Sequence, residues 1–171
     1  MGSSGHGCGD GARTKRGEQT GPNPTDRGKS GTKRPRVVDQ NGIPLAIRLT
    51  AANVNAVPQV TATLDALAPI KRPRGRPRKR PKKLHADKGY DSAANRQALR
   101  QRGIRPRIAR RGIESSEKLG RYRWVVERTL AWLNQFRRLR IRYERRADLH
   151  LAFLYLGCTL ICWNCFVNTF C

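Results

Sequence analysis

Thirteen consecutive residues, Lys71-Arg72-Pro73-Arg74-Gly75-Arg76-Pro77-Arg78-Lys79-Arg80-Pro81-Lys82-Lys83, hold three prolines and nine cations. No helix tolerates prolines so closely spaced, and a strand would lose a ladder donor at each one. The run therefore splits the chain, and the elements on its two sides must meet across an irregular, charged connection. Directly after it, His85-Ala86-Asp87-Lys88-Gly89-Tyr90-Asp91 reads as a short strand over 84–87 that ends on an acid and turns at a glycine. Side chains alternate along a strand, so His85 and Asp87 share one face.

Upstream, Arg36-Val37-Val38-Asp39 and Ile43 to Thr50 flank Asn41-Gly42, the pattern of a hairpin. Apolar residues at 57, 60, 64 and 67 predict a helix over 53–68. Downstream, the pattern predicts a helix over 92–102 closed by Gly103, a short strand over 104–109, and a long helix over 121–140. In the long helix Val125, Thr129, Trp132, Phe136 and Leu139 form one stripe, widened by Val126 and Leu133. Glu127 points away from it, among Arg123, Asn134 and Arg138. Trp124 and Trp132 read as core. A last helix runs over 148–166, within a stretch from Leu151 to Cys171 that has no charged residue. That stretch is long enough to cross a bilayer. Gly157, Thr159 and Asn164 dilute it, and the reading adopted is an apolar helix over 146–171 packed on the core, with no membrane. Residues 1–34, rich in Gly, Ser, Thr and cations, predict loop or disorder. Hairpin, helix, strand, helix, strand, helix in that order is an α/β fold with a mixed sheet.

The chain carries 36 Lys+Arg against 12 Asp+Glu, a formal charge of +24. A surplus of that size calls for a polyanion, with nucleic acid the first candidate and an anionic membrane surface the second. Five cysteines, at 8, 158, 162, 165 and 171, are an odd number with four crowded at the end, and no secretory signal is visible. This pattern points to a reducing cytoplasm and free, buried thiols rather than to a disulfide framework. Cys162 and Cys165 make one Cys-x-x-Cys pair without the second half of a zinc site.

Two carboxylates, Asp87 and Glu127, stand out as chemistry. Brought together from a strand end and a helix, they are hard oxygen ligands for Mg2+ or Mn2+. Such a site activates water or a DNA 3′ hydroxyl for in-line attack on a phosphodiester. On spacing alone the pair equally reads as two solvated carboxylates. Arg74-Gly75-Arg76-Pro77 resembles an AT-hook core, whose two arginines lie along a narrow minor groove; the alternative is a nonspecific linker. Arginines at 121, 123, 128, 137, 138, 140 and 142 offer bidentate phosphate contacts.

Several ordered blocks resemble the bacterial insertion-sequence transposases that carry a DDE catalytic triad. They are Gly21-Pro22-Asn23-Pro24-Thr25-Asp26-Arg27-Gly28-Lys29, Val38-Asp39 with Gly42-Ile43-Pro44-Leu45, and Leu49-Thr50-Ala51-Ala52-Asn53. The blocks continue with His85 to Asp91, Gly103-Ile104-Arg105-Pro106, Arg123-Trp124-Val125-Val126-Glu127-Arg128-Thr129, Trp132-Leu133, Phe136-Arg137-Arg138-Leu139 and Arg142-Tyr143-Glu144. The resemblance implies a ribonuclease-H-like mixed sheet flanked by helices, with a partial catalytic domain over 35–145. It implies metal-dependent phosphodiester hydrolysis and strand transfer in DNA transposition, with Mg2+ or Mn2+ as cofactor. In the family's pattern Asp87 is similar to the second acid and Glu127 to the third, with Arg123 and Arg128 facing DNA. Partners implied are insertion-sequence ends, target DNA and further copies of the chain, in a bacterial cytoplasm at the nucleoid.

The pattern departs in more than one place: around the third acid Gly120 and Asn134 stand where the family has a Tyr and a Lys, and the first acid is out of place. The family's first Asp ends a hydrophobic strand just before the Gly-Pro-Asn-Pro block, and here that place reads Gly5-His6-Gly7-Cys8-Gly9-Asp10-Gly11. The sequence therefore predicts a sheet without its first strand and an enzyme impaired by itself, or one completed by the product of an upstream reading frame. The rival reading is a noncatalytic DNA-binding remnant.

Overall fold

The computed structural model describes residues 3–4, 17–24, 26–71, 73–110 and 120–170, with 3, 4, 120–123, 169 and 170 described for backbone alone. Its strands are β1 (Ser3–Ser4), β2 (Gly21–Pro22), β3 (Ser30–Lys33), β4 (Arg36–Val38), β5 (Pro44–Ile47), β6 (Thr50–Ala51), β7 (Lys83–Ala86) and β8 (Arg105–Ile108). The helices are α1 (Gln59–Asp65), α2 (Ala93–Gln101), α3 (Gly120–Gln135), α4 (Arg137–Arg140) and α5 (Ala147–Phe170).

Asp39 builds the predicted hairpin. Its Oδ1 accepts from the N–H groups of Asn41 and Ile43, each at 2.8 Å, and Gly42 supplies a φ of +81°. Strands β4 and β5 then pair antiparallel, Arg36 opposite Ile47 and Val37 opposite Ala46. On the other side of the basic run, β7 pairs in parallel with β8, Leu84 opposite Pro106 and Ala86 opposite Ile108. Between these units lies β1, parallel to β7 with Ser3 opposite His85 and Ser4 opposite Ala86, and in contact with β4. A two-residue strand thus stands in residues 1–34, where the sequence predicts loop or disorder. No apolar alternation announces it, because its place is fixed by the backbone ladder of β7.

Alternation along β4 sends Val37 and Val38 to different cores. Val37 joins Val60, Leu64, Leu84, Leu99 and Ile108 beneath α1 and α2. Val38 packs with Val125 and Val126 of α3, and Ile47 and Leu49 join Leu133, Leu139, Leu154 and Ile161 under α3, α4 and α5. Helices therefore cover both faces of a mixed α/β arrangement.

Several elements depart from their predicted bounds, and one keeps them. Helix α1 begins at Gln59 rather than near 53, because Asn55 Oδ1 accepts from the Val57 N–H at 3.0 Å and Pro58 brings no donor. Helix α2 matches its prediction, with the Ser92 hydroxyl accepting from Asn95 N–H at one end and Gly103 at φ +67° beyond the other. The long helix breaks at Phe136, whose ψ of 115° separates α3 from α4 and turns Leu139 into the core. Residues 21–33, predicted as loop, contain β2 and β3, paired Gly21 to Gly31; β3 pairs onward with β6, Thr32 to Ala51. Their partner lies far along the chain, so local composition did not reveal them.

Helix α5 follows the prediction in position but is only half sunk. Leu154 and Ile161 are buried with Gly157 between them, while Leu156, Leu160, Trp163 and Phe166 are exposed. By length and hydropathy the stretch Ala147–Asn168 could also cross a membrane. Its buried ridge instead seats on α3 and α4. A Cβ at Gly157 would stand 2.7 Å from Leu139 Cδ1 and 3.3 Å from Leu133 Cδ2. Gly157→Val is therefore expected to cost about 1–3 kcal/mol in a urea melt. Gly157→Ala needs only the Leu139 tip to move and gains about 1 kcal/mol of helix propensity, so it should stay close to wild type. Equal losses for both would contradict this seating.

Candidate active site and nucleic-acid interface

Leu84 and Ala86 are the buried residues of β7, His85 is half-buried on its other side, and Asp87 is the first residue past the strand end. The predicted strand is one residue too long, since Asp87 caps a 3-10 turn over Lys88–Tyr90. Its Oδ1 accepts from Lys88 N–H at 2.8 Å, and its carbonyl accepts from Tyr90 N–H at 3.0 Å. The carboxylate is exposed. Burial pushes the Tyr90 phenol up to about 12, with the buried Arg36 opposing and Asp87 adding to the shift. A neutral, buried phenol thus stands in electrostatic reach of this acid. Burial also lowers the His85 imidazole from its usual value.

Glu127 sits on the exposed side of α3, while Val125, Val126 and Thr129 are buried and hold the helix down. The Thr129 hydroxyl donates to Gly42 O at 2.6 Å, tying α3 to the hairpin turn. β1 is flanked by β7 in the sheet and contacted by α3, so the elements carrying the two acids share one neighbour. Among the described residues no three His, Cys, Asp or Glu side chains gather as a metal centre. Asp10 lies outside them.

A family model described as the transposase DDE domain matches residues 5–165. The chain belongs to the DDE transposases. It is 61% identical over 146 residues to the protein assigned as the transposase of insertion sequence element IS402 in Burkholderia cepacia, a match covering 85% of this chain and 69% of that one. It is 30% identical over 129 residues to the transposase of insertion sequence element IS1106 of Neisseria meningitidis serogroup B, covering 70% of this chain and 40% of that one. No solved structure matches it.

The arginines of the transposase fall into two groups. Arg74 and Arg76 are exposed on the basic connection, and Arg137, Arg138 and Arg140 are exposed on α4. Arg138 Nη1 reaches Glu144 Oε1 at 3.1 Å and its guanidinium lies over the Tyr143 and Phe153 rings. Arg128 is half-buried and engaged by its own protein. Its guanidinium carbon is 4.3 Å from the Trp124 ring centre and 5.0 Å from that of Trp132, and Nη2 donates to Asn41 O. Trp124, read as core, is half exposed. The spacing 124, 128, 132 is one helix face, a signal for this sandwich that was legible but unused. Arg123 is described for its backbone alone. Arg142 is buried and bonded to backbone carbonyls, away from any phosphate role.

Cys158, Cys162 and Cys165, read as buried, are half-buried; Cys158 and Cys165 pack against the core, and burial pushes the Cys158 thiol up to about 12. Cys8 and Cys171 lie outside the described residues.

A polar knot behind α5 escaped sequence reading. His150 is fully buried, its Nδ1 3.2 Å from Glu144 Oε2. Burial, and then Arg34, lower its imidazole to about 4, so it is neutral near pH 7. Burial raises the Glu144 carboxyl, but hydrogen bonds from its own backbone, His150 and Arg138 outweigh that and hold it below its usual range. For His150 the unfolded chain takes up a proton near 6.5 that the folded chain refuses down to about 4. Stability is then complete above 6.5 and is lost as pH falls towards 4. At roughly 1.4 kcal/mol per unit, the loss approaches about 3 kcal/mol. Glu144 acts in the same direction at lower pH. Urea midpoints at neutral and acid pH should show a steeper loss for wild type than for His150→Gln, and parallel losses would refute the account.

Proposed function

We propose that this transposase acts on DNA through a ribonuclease-H-like core in which Asp87 and Glu127 are two of the metal-holding acids. The spatial succession β5, β4, β1, β7, β8 supports the reading, with β1, β7 and β8 parallel and the β4–β5 hairpin beside them. A carboxylate leaving the end of β7, the middle strand of the parallel β1, β7, β8 sheet, is the observation that carries it. The donor set fits a hard divalent cation, since both residues offer exposed carboxylate oxygens. Mg2+ or Mn2+ held there would supply an activated oxygen nucleophile and stabilise the leaving oxygen. The chain's own part is to fix the acids. Lys88 N–H orients Asp87 Oδ1, and the buried face of α3 holds Glu127 on its outer side.

The register stops one step short of Asp87, at Ser4 opposite Ala86, and the next residue in the sequence is Gly5. The first acid of the triad is therefore to be sought outside the described residues, in Asp10 or in the product of an upstream reading frame. Alone, the chain binds DNA and processes it poorly. Its surplus of cations recruits insertion-sequence ends and target DNA in the bacterial cytoplasm, at the nucleoid, and the active form joins at least two copies.

Nicking of supercoiled plasmid in Mn2+ tests the assignment. Weak, metal-dependent nicking that disappears in Asp87→Asn and in Glu127→Gln is expected. Nicking indifferent to both substitutions would remove the acids from the site, and robust joining by the chain alone would refute its impairment.

A further inference from the structure

The basic connection, which the transposase reading leaves without a part, is a built arm. Ile70 N–H donates to Arg78 O at 2.9 Å and Arg78 N–H donates back to Ile70 O at 2.8 Å, an isolated antiparallel bridge that closes the loop between them. Lys71 and residues 73–77 of that loop are all exposed. Its root is fixed, because Arg80 Nη1 donates to Arg102 O at 2.8 Å beyond α2 and Pro81 is buried. Gly75, between Arg74 and Arg76, has φ +87°, and nothing lies within 4 Å of where its Cβ would be. Packing therefore does not require a glycine there. The backbone sign does, and it leaves a bare ridge between two guanidiniums.

We propose that residues 70–78 form a minor-groove arm, with Arg74 and Arg76 entering the narrow groove of A·T-rich duplex DNA on either side of Gly75. The minor groove is about 6 Å wide, so a backbone without a side chain at its tip can approach the floor where a larger residue cannot. Pro77 keeps Arg76 extended. Around the glycine the cations are both arginine, and the described lysines of the run stand outside the tip, at 71, 79, 82 and 83. Arginine is the more weakly hydrated cation and is favoured by the deep negative potential of a narrow A·T groove. A phosphate clamp would have no need of this distribution.

The proposal rests on DNA being the substrate, and the test separates the two. Fluorescence anisotropy of the full chain, without metal, compares duplexes of equal length built from A·T, inosine·C and G·C pairs. Inosine·C pairs carry the major-groove edge of G·C but lack the guanine N2 amino group that obstructs the minor groove. Wild type is expected to bind A·T and inosine·C duplexes about tenfold more tightly than G·C. The double variant Arg74→Lys, Arg76→Lys should bind all three at the wild-type G·C level while keeping most of its salt dependence. Equal wild-type affinity for all three, a preference for A·T that inosine·C does not share, or a preference kept by the double variant would each overturn the arm. Failure to bind any duplex would overturn the DNA reading as well.

Discussion

Titrated with Mn2+ in a calorimeter, the full chain is expected to bind, and Asp87→Asn and Glu127→Gln are each expected to abolish measurable binding. The formal charge of +24 sets the scale of the effect. A protein so basic repels divalent cations at long range, so affinity has to come from carboxylates held close together. Removing one of two such ligands leaves a single exposed acid, a loss of well over about tenfold, given that even supporting residues of metal sites are worth about 10–100-fold. The accompanying fall in metal-dependent nicking should reach at least about a hundredfold, the usual penalty for misplacing a reacting group. Both substitutions are chosen to spare the fold. Asn at 87 keeps an oxygen for Lys88 N–H and so keeps the turn, and Gln at 127 stands on the exposed side of α3. If both variants bind Mn2+ as wild type does, the acids do not share a cation.

What the sequence made legible was local. Asp39, Asn41 and Gly42 spell out their turn within five residues, and Ser92 and Gly103 mark both ends of α2, so these elements appeared where they were read. Contacts made far along the chain were hidden. β2 and β3 consist of Gly, Pro, Ser, Thr and Lys, and β3 is a strand because β6 lies beside it. β1 exists for the same reason, beside β7. The break at Phe136 was invisible because the apolar stripe continues through it, from Leu133 to Leu139, and only the backbone changes direction. Composition also concealed the half-exposure of α5, since an uncharged helix does not say which face is covered. Of the site, Asp87 was legible as the acid that ends a strand and Glu127 as one off the apolar stripe. The role of either came from the family pattern. Arg128, read as facing DNA, lies half-buried between two tryptophan rings, a contact legible only in the helical spacing of 124, 128 and 132.

Arg142→Ala is expected to lower stability by about 3–5 kcal/mol, the range for leaving buried partners of a charged group uncompensated. Only 4% of Arg142 is exposed, and its guanidinium is shared among segments far apart in sequence. Nε donates to Glu144 O at 2.9 Å, Nη1 to Thr32 Oγ1 at 2.8 Å, and Nη2 to Glu18 O at 2.7 Å and Arg145 O at 3.3 Å. Glu18 returns the contact, its N–H donating to Arg145 O at 2.8 Å and its Oε2 accepting from Ala147 N–H at 3.0 Å, the first residue of α5. One side chain thus fastens the 17–33 segment to the start of the C-terminal helix. Truncation would take this partner from the part-buried Glu144 and Glu18 carbonyls and the Thr32 hydroxyl at once, each worth about 1–3 kcal/mol if left unpaired, with access to water and relaxation reducing the sum. Burial lowers the Arg142 pKa, and Glu144 and Glu18 oppose the shift. Arg142→Lys should recover little, because an ammonium is a point donor on a flexible stem and cannot span a planar fork of acceptors. Urea melts supply the energy, and hydrogen exchange at the Glu18 and Ala147 amides supplies the location. Both amides should exchange faster in the alanine variant than in wild type at equal stability. A cost below about 1 kcal/mol, or a lysine variant as stable as wild type, would mean that the segment is held by its strand ladder and not by this arginine.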